Sequence, residues 1–372
     1  MGFDRETFLR GFLSISIGAS PIYLWTSGLP QISDILFVIC AICCLAVKGF
    51  SARKLSSCVP IIVVLVYYLI INLTSGILFE GTHKILYAAY ILFALLGILI
   101  VSAMSENSIL KGLETGFLIG FFILIMQLVV GIDKYPGYRY SLGFNNPNQL
   151  GYFSLCGFSF YLWRAMFTDI TLKRILILCG FFGFVILSFS KGAIVSILIG
   201  FLLFLFISRK IAGLGTALFF VSASTLAVFA FPGIGEEAFN RILNIGGQTD
   251  DSLEARGYFV IFEYPEAVVF GQGGGSYLDR GDPHEIHSTY ANILVSYGIA
   301  GLIGFFYLVG RASVGRRGFI LIGPMLLYGL THNIIRDEFF WLVTGLLFVS
   351  THVTHREKNF REPKQENNKS TI

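Results

Sequence analysis

Charged residues are scarce in this chain of 372 residues: they make up 13% of it, against 55% for apolar residues, and the mean hydropathy is +0.72. A soluble domain carries about 25% charged residues. A membrane-spanning helix needs about 20 consecutive apolar residues, and runs of that kind recur along nearly the whole sequence. The composition therefore excludes an ordinary soluble domain and predicts an all-α polytopic integral membrane protein.

Acidic and basic side chains are also missing near the predicted middle of every apolar run, and no repeat of 20–50 residues occurs. Proton-coupled transporters typically place ionisable groups at the middle of the membrane. The lack of such ionisable groups argues against a transporter.

The six cysteines all lie in or beside apolar runs, so no disulfide framework is expected. The segment "CAICC" at 40–44 contains a CxxC, which in other settings indicates redox or metal chemistry. No histidine or acid lies nearby, so we interpret these cysteines as small packing residues. The first apolar stretch has no small-x-small cleavage site after it and is expected to be a retained span.

Twelve spans are predicted. They lie at 9–26, 32–48, 58–79, 85–104, 109–131, 148–167, 174–189, 192–208, 211–231, 289–310, 317–333 and 339–354. Residues 1–231 thus hold nine spans, 232–288 form a large outer loop with a loop helix, 289–354 hold three spans, and 355–372 form a polar tail.

Lysine and arginine are unevenly divided between the two sides of this arrangement. With the N-terminus inside, 19 of the 27 fall in inner segments and 8 in outer ones. The positive-inside rule therefore supports twelve spans with both termini cytoplasmic. Lys191 and Arg336 nevertheless fall in very short outer turns, where the rule predicts few cations.

Polar side chains with possible chemical roles gather on the predicted outer side. They are Arg139, Asn145, Asn148, Lys191, Arg256, Arg280, Asp282, Glu285, His287, His332, Arg336, Asp337 and Glu338. Arginine binds phosphate through two parallel hydrogen bonds and lysine acts as a point charge. Fixed cations stabilise a diphosphate leaving group, and a histidine or carboxylate can take a proton from an attacking hydroxyl.

Each of these residues also has a purely structural interpretation. His287 could be an interfacial residue at the start of a span, Lys191 an end-of-helix lysine that reaches for water, and Arg256 the neighbour of Glu254 on a solvated loop helix. The run "GQGGGS" at 271–276 could cradle a phosphate, but such a run is more often a flexible turn.

The stretch "GDPHEIHS" at 281–288 contains His-Glu-x-His. A zinc protease helix requires His-Glu-x-x-His, which puts both imidazoles on one helical face. Here Ser288 stands at the protease position. Asp282, His284, Glu285 and His287 form no evident tetrahedral ligand set either, so no metal site is expected.

The order of the segments resembles the O-antigen ligase/polymerase superfamily, which comprises Wzy-type polymerases and WaaL-type ligases, integral membrane glycosyltransferases of the GT-C type. The resemblance is carried by 254–309, "EARGYFVIFEYPEAVVFGQGGGSYLDRGDPHEIHSTYANILVSYGIAGLIGFFYLV". In it, an arginine, a proline, a glycine turn, a histidine before a span, an aromatic residue and two late glycines follow in the family's order. Those places are taken by Arg256, Pro265, Gly271, Gly273, His287, Tyr290, Gly298 and Gly301.

Two upstream elements extend the resemblance. "FNNPNQLGYF" at 144–153 resembles an "NPNxxA" element, and "LSFSKGAIVSILIG" at 187–200 resembles an "SRga" element. The chain departs from the family pattern where Lys191 replaces an arginine and Ser288 replaces an asparagine. The second departure favours a polymerase over a ligase without deciding between them.

The resemblance implies a donor glycan on undecaprenyl diphosphate and an acceptor that is another lipid-linked repeat unit or the lipid A core. It implies inverting transfer without a metal, cofactor or nucleotide sugar, at the periplasmic face of a bacterial inner membrane. It also leaves room for a chain-length regulator as a partner, and nucleic acid is not expected. Three residues are candidates for catalysis: His287, Arg256 and Glu285. The candidates for contact with the diphosphate or glycan are Lys191, Arg280, Arg139, Asn145, Asn148, Arg336 and Tyr290.

Overall fold

The computed structural model of this chain describes residues 4–26, 29–79, 82–135, 139–208, 257–279, 285–313 and 316–361, and within them it contains helices and no strands. The first eight helices are α1 (Arg5–Gly18), α2 (Ile32–Val47), α3 (Ala52–Phe79), α4 (Thr82–Ala103), α5 (Glu106–Val130), α6 (Pro147–Ala165), α7 (Leu172–Ser188) and α8 (Lys191–Ser208). The later ones are α9 (Val260–Glu263), α10 (Pro265–Phe270), α11 (Ser276–Asp279), α12 (Thr289–Ala312), α13 (Arg316–Tyr328), a 3-10 turn (Ile334–Arg336) and α14 (Glu338–Arg361).

Five of these helices are long and apolar enough to cross a membrane: Ala52–Ile77, His83–Ala103, Glu106–Val130, Lys191–Ser208 and Thr289–Ala312. Shorter apolar helices cover Ile32–Val47, Gly318–Tyr328 and Glu338–Ser350. The prediction of an all-helical chain with membrane-spanning helices is thereby confirmed in its coarse form. Twelve spans remain a prediction, because the ninth, 211–231, lies outside the described residues.

The helix bounds differ from the predicted spans by five residues or more at four places. The first helix ends early, since the chain turns at 19–21, where Pro21 lies, and α3 begins at Ala52, six residues before the predicted start. α13 ends at Tyr328, five residues before the predicted end, and α14 continues to Arg361 inside the predicted polar tail. Within the predicted outer loop, the described part consists of short helices and turns that pack on the bundle.

Successive helices alternate in direction, and their ends gather into two groups. We call one group the basal end, where Arg5 Nη1 lies 3.3 Å from the Val47 carbonyl oxygen and Ser51 N lies 3.1 Å from that of Ser102. We call the other the apical end, where Tyr140 N donates to the Leu187 carbonyl at 3.0 Å. This alternation fits consecutive crossings of a membrane.

Close contact between helices relies on small residues, as is common where no water drives apolar association. α1 and α5 run parallel, and the hydroxyl of Ser14 donates to the Gly112 carbonyl at 3.1 Å. A Cβ on Gly116 would lie 2.8 Å from the Ile17 Cβ. In α2, Cys40 and Cys44 are fully buried in the core, as a packing role requires.

α12 is broken at Gly298, whose φ of 68° and ψ of −176° are not helical. A Cβ there would lie 2.6 Å from the Val269 carbonyl oxygen, so only glycine fits. The chain at Gln272 and Gly273 lies beside this break and donates backbone hydrogen bonds to the carbonyls of Val295 and Ser296, at 3.2 and 2.9 Å. The glycine-rich segment is thus attached to the bundle beside α12.

Candidate functional site

An ion pair between Arg336 and Glu285 forms the centre of the apical end. The Arg336 guanidinium also donates to the hydroxyl of Tyr87 and lies 4.6 Å from the centre of that ring and 5.4 Å from the ring of Tyr90. Cations over aromatic faces are stabilised, more strongly where water is excluded. The arginine is therefore fixed in position by one carboxylate and two tyrosines.

The hydroxyl of Tyr87 joins this ion pair to buried polar groups. It lies 3.2 Å from Glu285 Oε1 and 3.0 Å from the hydroxyl of Tyr277. The side-chain amide of Asn292 approaches both hydroxyls at 3.4 Å. Tyr87, Tyr277 and Asn292 are each at most 2% exposed, so the contacts lie in a poorly solvated region. We call these residues, with Arg336 and Glu285, the Arg336 cluster.

The glycine-rich run at 271–275 places Tyr277 in this cluster. Gly274 N donates to Asn72 Oδ1 at 2.7 Å, and a Cβ on Gly274 would lie 2.1 Å from Tyr87 Cδ1. The backbone N–H groups of Gly271, Gln272 and Gly273 are likewise used within the protein. The run therefore acts as a closely packed turn, and these N–H groups are not directed at a phosphate.

A second polar group at the apical end surrounds Arg139. Its Nη2 lies 2.7 Å from Asn148 Oδ1, and its Nε donates to the Ser188 carbonyl at 3.1 Å. The hydroxyl of Tyr328 donates to the Asn148 carbonyl at 3.0 Å, and its ring stacks on His332 with centroids 4.2 Å apart. We call these residues, with Lys191, the Arg139 cluster.

Lys191 opens α8 next to the chain that carries His332. A Cβ on its neighbour Gly192 would lie 2.4 Å from Thr331 Oγ1, and Thr331 Oγ1 lies 2.9 Å from His332 Nδ1. The first turn of α8 thus contacts the loop after α13. The positive end of the helix dipole lies at the same place.

The segment 285–289 links the two clusters. Glu285 belongs to the Arg336 cluster, and the hydroxyl of Thr289 donates to the His332 carbonyl at 2.7 Å. Between them, Ile286 and Ser288 are buried, whereas His287 is exposed. His287 therefore faces the surface, on the segment whose two ends contact the two clusters.

Asp337 follows the 3-10 turn and accepts hydrogen bonds from the backbone N–H groups of Phe339 and Phe340, at 2.9 and 3.3 Å. Its side chain keeps some exposure, but protein surrounds most of it. The pKa of Asp337 is raised to about 7, chiefly by burial and to a smaller extent by the nearby Asp34 carboxylate, although the two backbone hydrogen bonds oppose the shift.

The remaining predicted site residues are placed as follows. Arg256 and Arg280 lie outside the described residues. Asn145 donates to the Trp25 carbonyl at 2.6 Å, next to the Arg139 cluster in sequence. Tyr290 donates to the Leu326 carbonyl at 2.7 Å and stacks on Phe306, so it connects α12 to α13.

The structure also brings in three residues that the sequence did not single out: Tyr87, Tyr277 and Asn292. The sequence offers one hint of their role, which is where they lie. Tyr87 and Asn292 lie within two turns of the apical start of a helix, and Tyr277 follows the glycine run. Within the described residues, no group of three histidine, cysteine or acidic side chains has the geometry of a metal site.

The chain matches no protein-family model, and comparison with curated proteins gives no significant match. The chemistry of the site must therefore be inferred from the residues of this chain.

Proposed function

We propose that this protein is a membrane glycosyltransferase that joins lipid-linked oligosaccharide repeat units at the apical end of the bundle. The observation that carries the proposal is the exposed His287 on a segment that links the Arg336 cluster to the Arg139 cluster. A base between two sets of fixed cations is what transfer from a diphosphate-linked donor requires. In this proposal the apical end faces the periplasm, the termini are cytoplasmic and the bilayer is the bacterial inner membrane.

In this proposal the residues of the two clusters have different roles in the reaction. His287 takes the proton from the acceptor hydroxyl, whose oxygen attacks the anomeric carbon with inversion while the bond to the diphosphate breaks. Lys191 and Arg139 stabilise the negative charge that develops on the departing undecaprenyl diphosphate. Glu285 is already paired with Arg336, so we assign it the positioning of the segment that carries His287. Arg256 stays a candidate for catalysis, and Arg280 stays a candidate for diphosphate contact.

The same geometry serves a ligase, which differs only in its acceptor, the lipid A core. Ser288 favours the polymerase in our interpretation. Its hydroxyl accepts the Ala291 N–H at 3.4 Å and caps α12. This contact is structural, so the preference for a polymerase depends on the sequence pattern alone.

A transporter or flippase is the second candidate, and Asp337 is the observation that favours it. A buried carboxyl with a pKa near 7 can gain and lose a proton under physiological conditions. It lies beside the apical end of α14, whereas coupled carriers typically use groups at the middle of the membrane. For this reason glycosyl transfer is the proposal we prefer.

The test is the glycan profile of a strain that lacks the gene and carries plasmid copies of the wild type, His287→Ala, Glu285→Gln or Glu263→Gln. Glu263 is an exposed apical carboxylate outside both clusters and provides the matched control. Protein amounts in the membrane are measured for each copy. We expect long chains with the wild type and Glu263→Gln, and their loss with His287→Ala.

The products distinguish the candidates. Single repeat units on the surface lipid, without long chains, indicate a polymerase. Polymer that accumulates on undecaprenyl diphosphate indicates a ligase. Unchanged glycans with His287→Ala at normal protein amounts contradict glycosyl transfer at this site.

A further inference from the structure

A groove of about 440 Å³ lies between α1 and α5 at the basal end, far from the candidate site. Its lining includes Thr7, Arg10, Ile15, Lys111, Thr115 and Ile119. The two helices run parallel, so residues within the first two turns of both helices lie at the same end of the groove.

The lining changes from polar to apolar along the two helices. Arg10 and Lys111 lie near the helix starts, and Ile15 and Ile119 lie five and eight residues further on. At 1.5 Å per residue these steps correspond to roughly 8 and 12 Å. The interfacial layer of a bilayer is about 5–8 Å thick on each side of the hydrocarbon core. The groove therefore spans the depth over which a phospholipid changes from headgroup to acyl chain.

The charge of the groove is positive. Its one acidic lining residue, Glu114, is engaged by two arginines outside the groove, with Arg164 Nη2 at 3.6 Å and Arg174 Nη2 at 3.9 Å. Glu114 thus balances neither Arg10 nor Lys111, although the carboxylate of Asp4 just outside the lining attracts Arg10. An anionic group fits this end better than a neutral or zwitterionic one.

The shape of the groove depends on a missing side chain. Gly11 lines it, and a Cβ built there would meet no atom within 4 Å. Ile15 is 52% exposed at the apolar part of the groove, which is open to the surroundings of the bundle. An acyl chain can therefore lie along α1 without displacing any part of the protein.

We propose that this groove binds one anionic phospholipid, with its phosphate held by Arg10, Lys111 and the hydroxyl of Thr115. Its acyl chains lie along Ile15 and Ile119. Basic pockets between membrane helices hold anionic headgroups in this way. The proposal is independent of glycosyl transfer at the apical end, since the two sites share no residue.

The test is native mass spectrometry of the purified full-length protein in mild detergent, with added dioleoylphosphatidylglycerol or dioleoylphosphatidylethanolamine. The variant Arg10→Gln/Lys111→Gln removes the two groove cations. The control Arg53→Gln/Lys173→Gln removes the same charge from exposed basal positions outside the groove. We expect the groove variant to lose phosphatidylglycerol adducts by on the order of tenfold, and the control to keep them.

A second variant separates shape from charge. Gly11→Leu keeps both cations, fills the open groove and replaces a poor helix former by a good one. We expect it to lose the adducts as well. Equal loss in the groove variant and the control would show that binding follows overall charge and would overturn the proposal. So would adducts that survive both groove variants, or full displacement by soluble glycerol phosphate, which would indicate a site for the phosphate alone.

Discussion

At the basal end polar side chains cap helix starts and form ion pairs near the surface, such as Lys48 with Glu6, whereas at the apical end polar side chains from several elements meet in one largely buried cluster. The carboxylate of Asp4 and the hydroxyls of Ser105 and Thr171 each accept a backbone N–H at the start of α1, α5 or α7. Such caps occur wherever a helix begins and carry no information about function. Each of these capping hydrogen bonds joins residues that are two or three positions apart.

The Arg336 cluster is assembled differently, from α4, α11, α12 and the 3-10 turn, with Glu285 from the segment before α12. Each member needs the others in place, and a partly satisfied buried network costs more than an apolar core. An arrangement with this cost points to a functional role. The candidate site is thus distinguished by polar groups that converge from several elements, and not by polarity itself.

The largest change in stability is expected when a glycine at each end is replaced by alanine. In Gly274→Ala the new methyl group would overlap the ring of Tyr87, whose Cδ1 lies 2.1 Å away. We expect a loss of about 3 kcal/mol, at the upper end for overpacking. Gly11→Ala at the basal end meets open space and should be neutral or slightly stabilising. Thermal unfolding in detergent measures both, and equal Tm values would refute the tight packing of the glycine run.

The next test breaks one ion pair at each end. Arg336→Ala removes the partner of Glu285 and the cation over the buried ring of Tyr87, and should cost about 2 kcal/mol. Lys48→Ala removes the partner of Glu6 in a pair of similar side-chain exposure, and it should cost less than about 1 kcal/mol because ion pairs near the surface contribute little. Tm shifts of similar size for the two variants would contradict the distinction between the ends.

A third test uses pH. Between the ordinary carboxyl pKa of 3.8 and about 7, folded Asp337 keeps a proton that the unfolded chain has lost. Folding is therefore favoured at the acidic side of this window, and stability falls as pH rises through it. Asp337→Asn keeps an oxygen that can accept from Phe339 and Phe340, and it should flatten this part of the curve.

The measurement is Tm against pH in detergent for wild type, Asp337→Asn and the exposed control Glu263→Gln. We expect wild type and the control to lose Tm on going from about pH 5 to about pH 8, and Asp337→Asn to lose less. An identical slope in all three proteins would show that Asp337 is not the group responsible.

The smallest expected effect comes from removing one hydroxyl at each end. Tyr87→Phe keeps the ring under Arg336 and removes the contacts to Glu285 and Tyr277, which should cost about 1 kcal/mol. If the protein is a glycosyltransferase, Tyr87→Phe should also slow chain elongation, because Glu285 loses the hydrogen bond from the Tyr87 hydroxyl. Tyr161→Phe removes a basal hydroxyl that donates to the Glu114 carbonyl. It should cost a similar amount of stability and leave the glycan profile unchanged.

Much of the candidate site could be predicted because it lies at helix ends. Glu285, Lys191 and Arg336 are polar residues next to apolar runs, and the alternation of spans assigns all three to one side. The pairing of Glu285 with Arg336 could not be predicted, since 51 positions separate them and no local pattern relates their side chains. Tyr87 was missed for the same reason, because an aromatic residue in an apolar run has the pattern of a core residue.

The glycine run was visible in the sequence, but its local pattern is compatible with two different structures. "GQGGGS" fits both a phosphate cradle and the more common flexible turn, because both need backbone that lacks side chains. The structure decides for a packed turn, since Tyr87 and the backbone of Tyr297 occupy the space where Cβ atoms would lie.

The sequence by itself determined the helical class, the order and approximate limits of the described helices, and the side on which the polar residues gather. These follow from apolar run length and from charge between the runs, which are local quantities. Only the tertiary structure decided which polar groups meet. The cluster of Tyr87, Tyr277 and Asn292 with the ion pair, and the groove between α1 and α5, both depend on how helices distant in sequence pack. That packing is set by the shapes of many side chains at once.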